Sequence, residues 1–552
     1  MPKVEFSFRG VCTACYHCTL DLTYSLQNVI LSTEKDTARA DSVDKTGYWV
    51  GRDNVQLWGL NIHNPVFAVS AIGTIAFVLF TIVFSEAAAT HFGNLRSWIT
   101  IHFDWFYTIS VDVILLVCFW IIISPMGKVR IGGKDAKPDY SYPSWFAMMF
   151  AAGVGIGLMF YGVLEPVNHF LTPPLGIDPS NIEEARAYGV SAAIAHWSLH
   201  AWGVYSLVGL SLAFFYYNKG LPLTIRSAFY PLLGEATWRW PGHIIDILAV
   251  FAILFGLATS LGLGAEQVTG GLNYLFDIPS SITTSVIVVL VITAVALVSV
   301  VRGLDKGVKV LSEINVGLAV LFCLFAFLTG SIIDNFTGSI SNGIHYLVSL
   351  PEFSNWIGRE DKPFLRDWST FYWSWWVAWS PFVGMFIARV SRGRTAREFV
   401  ACALALPTVV SIIWMTVFGD AAISQYLDRG YTGVTEIVES WSPELSMFKF
   451  LELLPFSALT SLIAIFLIIV FFVTSMDSGS LVVDTITAGG MIDAPIVQRI
   501  FWCCFEGLIA IALLMGGGLV SLQALSLASG FPFTIVLLVM IFPLFRGLKS
   551  EL

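Results

Sequence analysis

Residues 369–388 read STFYWSWWVAWSPFVGMFIA, and none of these twenty side chains carries a charge. A helix of about 20 apolar residues is long enough to cross the hydrocarbon core of a bilayer. Other stretches of the same kind occur along the rest of the chain. The sequence therefore predicts twelve transmembrane helices, at approximately residues 64–84, 103–124, 144–170, 191–217, 243–264, 280–301, 314–333, 369–388, 398–419, 456–481, 498–516 and 526–545.

The composition supports a membrane protein. Of the 552 residues, 56% are hydrophobic and 12% are charged, whereas soluble domains carry about 25% charged residues. The net charge of −9 comes without a basic stripe, so nucleic acid is not an expected partner. The chain contains neither a G-x-x-x-x-G-K-[ST] loop nor a G-x-S-x-G elbow. We expect a protein that is not an enzyme and has no resident cofactor.

The basic residues predict the orientation of the spans. Seventeen of the 30 Lys and Arg residues lie in the even-numbered loops and the C-terminal end, seven lie in the odd-numbered loops and six in the N-terminal tail. Because cytoplasmic loops hold the excess of Lys and Arg, both termini are expected in the cytoplasm. Gly303–Leu311 has the spacing of a short interfacial helix. Cys12, Cys15 and Cys18 lie in the tail, and a zinc site there would lack a second ligand pair.

Span three contains glycine at every second position, at Gly153, Gly155 and Gly157. This pattern favours backbone that unwinds or approaches a ligand closely, because glycine weakens a helix and has no side chain. Close packing of two helices through small residues is the alternative. Glu165-Pro166 follows, and proline at the end of a membrane helix indicates a second break.

Span eight places four aromatic rings, those of Tyr372, Trp375, Trp376 and Trp379, within an arc of about 100° on one helix face. Span four adds three more rings. Such a surface suits a quaternary ammonium group, which has no N–H and is attracted to ring faces. An aromatic belt at the membrane interface is the alternative, although rings that climb a full helical turn do not share one depth. The rings of span four are Trp197, Trp202 and Tyr205.

Span ten contains the adjacent hydroxyl residues Thr474 and Ser475. Together with freed backbone carbonyls, such hydroxyls can bind a hard cation. Hydrogen bonds from the hydroxyls back to their own helix are the commoner alternative. In span four, His196 and His200 have the spacing of a metal pair, but without a third ligand we interpret them as ordinary polar residues.

Four stretches together resemble the betaine–choline–carnitine transporter family. They are Trp375–Thr395, Gly153–Gly157 with Glu165-Pro166, His196-Trp197 and Thr474–Ser478, and the similarity extends over about residues 55–545. The resemblance implies an all-α membrane protein with a LeuT-like core. In that core spans 3–7 and 8–12 form two inverted five-helix repeats, and spans three and eight are the broken helices.

The resemblance also implies the residues of the transport site. The aromatic cage comprises Trp197, Trp202, Tyr205 and Trp379, and the pathway rings are Trp373, Trp375, Trp376 and Phe382. The backbone carbonyls of Ala151, Val154 and Phe471 with the hydroxyls of Thr474 and Ser475 form a sodium site. A second sodium site is in doubt, because Ile253 and Leu257 stand where sodium-coupled relatives have threonine. Proton coupling therefore stays open.

Gly157 bears on the choice of substrate. Choline-type relatives tend to carry Asp at the corresponding position, and a carboxylate there would repel a zwitterion's carboxylate. We expect an importer of small onium zwitterions, such as glycine betaine or dimethylsulfoniopropionate, that works by ion-coupled symport. A choline or carnitine transporter is the alternative within the family, and an onium-gated channel or receptor is the alternative from another class.

The expected setting is a bacterial inner membrane, and the resemblance implies a homotrimer. The expected organisation has six parts: a cytoplasmic tail (1–62), two peripheral spans (63–142), the first repeat (143–335), an extracellular loop (336–368), the second repeat (369–546) and a short cytoplasmic end (547–552).

Overall fold

The computed structural model describes residues 47–153, 155–302 and 308–552. The first five residues of the predicted interfacial helix and the tail that carries Cys12, Cys15 and Cys18 lie outside the described residues. Within the described chain, the structure is helical apart from one small hairpin and the connecting segments. The hairpin comprises strands β1 (Asn54–Leu57) and β2 (Leu60–His63), which pair antiparallel.

The helices are α1 (Asn64–Val83), α2 (Ser85–Ile123), α3 (Tyr142–Gly153), α4 (Ile156–Leu171), α5 (Ile182–Trp197), α6 (Leu199–Tyr217), α7 (Trp240–Phe276), α8 (Ile282–Arg302), α9 (Val308–Thr329), α10 (Ile332–Ser354), α11 (Thr370–Val390), α12 (Ala396–Trp414), α13 (Ala421–Arg429), α14 (Ser457–Thr487), α15 (Ile496–Met515) and α16 (Leu519–Lys549). Short helical turns occur between them, at Pro125–Lys128, Ile225–Phe229, Tyr230–Leu233, Gly234–Trp238, Phe364–Ser369, Met415–Asp420, Gly433–Glu439, Pro443–Leu445 and Ser446–Glu452.

The predicted spans agree with these helices. By length and composition, nine helical segments of the described chain can cross a membrane, and α9 with α10 forms a further candidate that bends by 111°. The two remaining predicted spans are also helical, span three as α3 with α4 and span eight as α11. Each of the twelve predicted spans coincides with a helix or with two helices joined at a break, and the all-α membrane fold is confirmed.

Span three is broken where the glycine run predicts it. Helix α3 ends at Gly153, α4 begins at Ile156, and Gly155 between them is extended, with φ −164° and ψ −173°. The second break, predicted at Glu165-Pro166, is wrong, because α4 continues through Pro166. A Cβ atom on Gly419 would collide with the Pro166 ring. The turn Met415–Asp420 therefore packs directly against the proline, and such packing by a neighbouring element helps a membrane helix tolerate proline.

Span eight is not broken, and that part of the prediction is wrong. Helix α11 is continuous from Thr370 to Val390, with Pro381 in its interior. Proline has no N–H to donate to the carbonyl four residues earlier, which belongs to Val377. The hydroxyl of Ser380 donates to that carbonyl at 2.7 Å. The neighbouring side chain thus satisfies the group that the proline leaves free, and the helix persists.

Span four contains a break that the sequence reasoning did not predict. Ser198 has non-helical torsion angles, φ −113° and ψ −126°, and separates α5 from α6. The break places Trp197 at the end of α5. The segment predicted as an extracellular loop, 336–368, contains most of α10, an additional helix bent away from α9.

The centre of the bundle is helix α11. It packs along α6, α7 and α16, and most of its side chains are buried. The broken span three contributes α4, which packs against α5, α7 and the turn Met415–Asp420. The two regions that carry the predicted site residues therefore meet in the interior of the bundle.

Candidate functional site

The rings of α11 form a stacked platform inside the bundle. Trp375 and Trp376 have ring centroids 4.8 Å apart and planes 14° apart, and Tyr372 lies 5.7 Å from Trp376. Residues spaced by three or four positions share one face of a helix, which is why these rings point the same way. All three side chains are buried. Trp197, at the end of α5, contacts the edge of this platform, 4.8 Å from Trp376 at an angle of 70°.

The break in span three reaches the same rings. A Cβ atom on Gly157 would collide with Cη2 of Trp197 and would lie 3.0 Å from Cη2 of Trp375. Only glycine allows the first turn of α4 to approach the rings this closely. The glycine run and the aromatic face, predicted separately, therefore belong to one site.

The other predicted cage residues extend from this cluster. Trp202 and Tyr205 on α6 are perpendicular to each other with centroids 5.2 Å apart, and Tyr205 lies 6.3 Å from Trp376. Trp379 lies one helical turn beyond Trp375 and pairs with Phe382 at 5.3 Å. The structure thus brings Trp197, Trp202 and Tyr205 together through Trp376, whereas Trp379 belongs to a neighbouring aromatic pair.

The carbonyl of Gly256 on α7 connects the two aromatic groups. The indole N–H of Trp379 donates to it at 2.8 Å, and that of Trp375 at 3.3 Å. Trp373 points elsewhere, with its ring 5.5 Å from His196 and 5.1 Å from His200. Trp373 is therefore separated from the face that carries the other three tryptophans of α11.

The sequence reasoning did not recognise Glu165 as part of this site. Its carboxylate accepts hydrogen bonds from Trp197 Nε1 at 2.9 Å, from the Tyr372 hydroxyl at 2.6 Å and from His196 Nδ1 at 2.5 Å. His196 in turn is bonded to the Ser369 hydroxyl at 2.9 Å. Glu165 is fully buried, and it fixes the positions of two rings. The sequence contained one indication of this role, because Glu165 is an ionisable residue within a predicted membrane span and such residues are usually functional.

The histidines have separate partners. His200 is bonded to Asp112 at 2.8 Å, so it shares no ligand with His196, in keeping with their interpretation as ordinary polar residues. Donor atoms of Glu165, His169 and His196 lie within 4.8 Å of one another. Because Trp197 and Tyr372 already donate to Glu165, we interpret this group as support for the rings.

The predicted sodium ligands are described only in part. Val154 lies outside the described residues. The Thr474 hydroxyl lies 2.9 Å from the carbonyl oxygen of Val470 and 3.1 Å from that of Phe471, so two predicted ligands are adjacent within α14. These contacts are also the hydrogen bonds of a hydroxyl to its own helix. Ser475 is half-buried beside Thr474. Ile253 and Leu257 are buried on α7.

A helical membrane bundle in which a broken span meets buried side chains of other helices near the bundle centre is typical of a secondary transporter. The model of the betaine/carnitine/choline transporter family matches residues 65–552. The chain belongs to this family, whose core is LeuT-like, and its members are transporters rather than enzymes.

Three relatives illustrate the similarity. A glycine betaine/proline/choline transporter of Vibrio parahaemolyticus is 50% identical, with 94% of this chain and 96% of the relative covered. Glycine betaine transporter 1 of the same species is 49% identical, with 92% and 98% covered. A glycine betaine transporter of Acinetobacter baylyi is 42% identical, with 88% and 74% covered.

Proposed function

We propose that the protein imports small onium zwitterions, glycine betaine first among them, by ion-coupled symport across the bacterial inner membrane. The observation that supports this proposal most directly is the buried cluster of Trp197, Trp375 and Trp376 against Gly157. A quaternary ammonium group cannot donate a hydrogen bond, so desolvation is best compensated by ring faces. All three relatives described above carry glycine betaine in their names.

In this proposal the substrate's carboxylate binds at the start of α4. In the described chain the first intrahelical bonds to Gly155 come from Leu158 and Met159. The amides of Ile156 and Gly157 belong to the first turn of α4, where N–H groups have no intrahelical acceptor. The N-terminal end of a helix is also its positive end. An anion is favoured beside these amides, which suits a zwitterion better than choline.

The absence of a carboxylate at position 157 supports the same preference. With glycine there, nothing on that residue repels the anionic end of a zwitterion, whereas an acidic side chain would attract a cation such as choline. Dimethylsulfoniopropionate fits the same chemistry, because ring faces respond to positive charge rather than to nitrogen. Choline is the second candidate, and one relative carries it in its name.

If sodium is the coupling ion, we propose that it binds near Thr474, Ser475 and the carbonyl of Phe471. The oxygens of Thr474 and Phe471 lie 3.1 Å apart, and a hard cation prefers such oxygen ligands. Ile253 and Leu257 offer no oxygen from their side chains. We therefore propose at most one sodium ion per substrate.

The test is uptake of labelled glycine betaine by the purified protein in proteoliposomes, under imposed sodium, proton or no gradients. A symporter accumulates the label above the external concentration only when a coupling gradient is present. Choline and dimethylsulfoniopropionate are added as competitors, and the zwitterion should compete better. Equilibration without accumulation under every gradient would contradict the proposal, as would stronger competition by choline than by unlabelled betaine.

A further inference from the structure

A fully buried carboxylate with no partner lies in α15, outside the aromatic site. Glu506 has no exposed surface, and no donor of the described chain lies within hydrogen-bonding distance of either carboxylate oxygen. Helix α15 begins at Ile496, so Glu506 lies about 15 Å along it, near the middle of a hydrocarbon core about 30 Å thick. An ionised carboxylate without a partner is strongly unfavourable at this depth.

A second buried carboxylate lies on the facing helix α14. Asp477 is 1% exposed; its Oδ2 accepts from the Ser299 hydroxyl at 2.8 Å, and its Oδ1 has no partner in the described chain. A Cβ atom on Gly479 would lie 3.3 Å from Oε1 of Glu506. The Glu506 carboxylate therefore rests against α14 within one turn of Asp477. Both oxygens of Glu506 and Oδ1 of Asp477 are therefore buried without a donor in the described part of the chain.

The surroundings favour a proton over a metal ion. From α7, Leu257 packs at the same place, since a Cβ atom on Gly479 would also collide with Leu257 Cδ1. A hard cation needs about six oxygen ligands. The aliphatic side chain of Leu257 occupies one side of this position and leaves too little room for such a set of ligands. A proton needs no such set of ligands. Protonation makes Glu506 neutral, and a neutral carboxyl group is far less unfavourable in an apolar environment than a carboxylate.

The other titratable groups nearby lie toward the connection between α14 and α15. Cys503 is buried one helical turn before Glu506 on α15. Further along, Arg499 Nε lies 3.9 Å from Asp484 Oδ2. Asp484 and Asp477 are two helical turns apart on α14, so the acidic groups form a series from that end of the helices toward the bilayer centre. That end is cytoplasmic in the predicted orientation.

We propose that Glu506 is a proton-binding site that couples a proton gradient to substrate transport; this rests on the proposed function. Two adjacent residues of α7 connect Glu506 to the ligand site. Leu257, against Glu506, directly follows Gly256, whose carbonyl accepts from Trp375 and Trp379. Loss of the proton adds charge beside Leu257, and the resulting shift of α7 moves the acceptor that fixes both rings.

The experiment compares the full-length protein with Glu506→Gln in sodium-free proteoliposomes that contain a pH-sensitive dye. With an acid-outside gradient, the wild type accumulates labelled glycine betaine, and adding betaine acidifies the lumen. Glutamine keeps the shape of a protonated carboxyl but cannot release a proton. Glu506→Gln therefore loses both accumulation and acidification, while exchange of labelled for unlabelled betaine at equal pH continues. Glu266→Gln, the same substitution on the neighbouring helix α7, should behave like the wild type.

A second measurement does not depend on transport. Infrared difference spectra of the purified protein should show a protonated-carboxyl band at neutral pH that is missing in Glu506→Gln. Accumulation by Glu506→Gln equal to that of the wild type overturns the proposal, as does a band that is unchanged in this variant. A wild type that exchanges betaine without moving protons also overturns it. Failure of betaine exchange in the wild type, even with sodium on both sides of the membrane, instead contradicts the proposed function.

Discussion

Spans three and eight both contain residues that disfavour a helix, yet only span three is broken. In span three, three glycines provide no side chain that could stabilise the turn, and Gly155 is extended. In span eight, Pro381 removes one backbone donor and the hydroxyl of Ser380 replaces it. The comparison shows that a proline need not break a span where a neighbouring side chain satisfies the carbonyl that the proline leaves free.

The two spans contribute different parts of the ligand site. The broken span offers free amides and a close approach at Gly157, whereas the continuous span offers a rigid platform of rings. Glu165 joins the two regions, because it lies on α4 and accepts from Tyr372 on α11. Variants at this connection, at the break and on the platform should therefore have separable effects.

The largest effect is expected when the connection between the two spans is removed. Glu165→Leu leaves the donors of Trp197, Tyr372 and His196 without their acceptor. Each buried unsatisfied donor costs about 1–3 kcal/mol. With three such donors the rings lose their fixed positions, and binding of betaine should weaken by about 4 kcal/mol, or roughly 1,000-fold. Tryptophan fluorescence titration of the purified protein measures this change.

Glu165→Gln is the matched control for this prediction. It keeps one acceptor oxygen and the same shape, so it should retain much of the affinity that Glu165→Leu loses. If the leucine variant binds betaine as tightly as the wild type, Glu165 does not hold the rings of the binding site.

The next effect concerns the break in span three. Gly157→Ala places a methyl group where Trp197 Cη2 lies, and overpacking costs as much as about 3 kcal/mol, or roughly 100-fold in affinity. Gly155→Ala is the control, because its Cβ would have no heavy atom within 4 Å and its backbone is extended. Equal binding constants for both variants would show that the approach at Gly157 is unimportant for binding.

Gly157→Asp separates ligand recognition from packing. The aspartate carries the same Cβ as Gly157→Ala, so the two variants are compared with each other. If the amides of α4 hold the substrate's carboxylate, Gly157→Asp should bind betaine more weakly and choline more tightly than Gly157→Ala. If Gly157 serves packing alone, the aspartate variant should bind neither ligand better than the alanine variant. Competition of choline and betaine against a labelled zwitterion decides between the two.

An effect of intermediate size is expected at Trp379, one helical turn beyond the platform. Trp379→Leu should weaken binding roughly 30-fold, because a desolvated cation–π contact contributes about 2 kcal/mol, and Trp379→Phe should retain part of the affinity. Trp376→Leu tests the alternative that the onium head sits in the Trp197 cluster. A leucine variant at 379 with unchanged affinity, beside a weakened variant at 376, would place the ligand one turn away from Trp379.

The fold was largely predictable from the sequence, because apolar runs of membrane length report directly on spans. The break at Gly155 was also predictable, because glycine at every second position weakens a helix locally. The continuity of α11 was not, since it depends on a single hydroxyl bond from Ser380. Nor was the role of Glu165, whose partners Trp197 and Tyr372 are far apart in sequence and come together only through the packing of α4, α5 and α11.

The smallest effect tests the explanation for the difference between the spans. Ser380→Ala removes the hydroxyl that donates to Val377, which should destabilise the protein by about 1 kcal/mol. In Pro381→Ala the backbone regains an N–H for the same carbonyl, so the serine becomes redundant. The double variant Ser380→Ala with Pro381→Ala should then be more stable than Ser380→Ala alone. Thermal unfolding in detergent, followed as a double-mutant cycle, measures the coupling. Additive effects of the two substitutions would mean that the hydroxyl does not replace the missing amide, and another cause would be needed for the continuity of span eight.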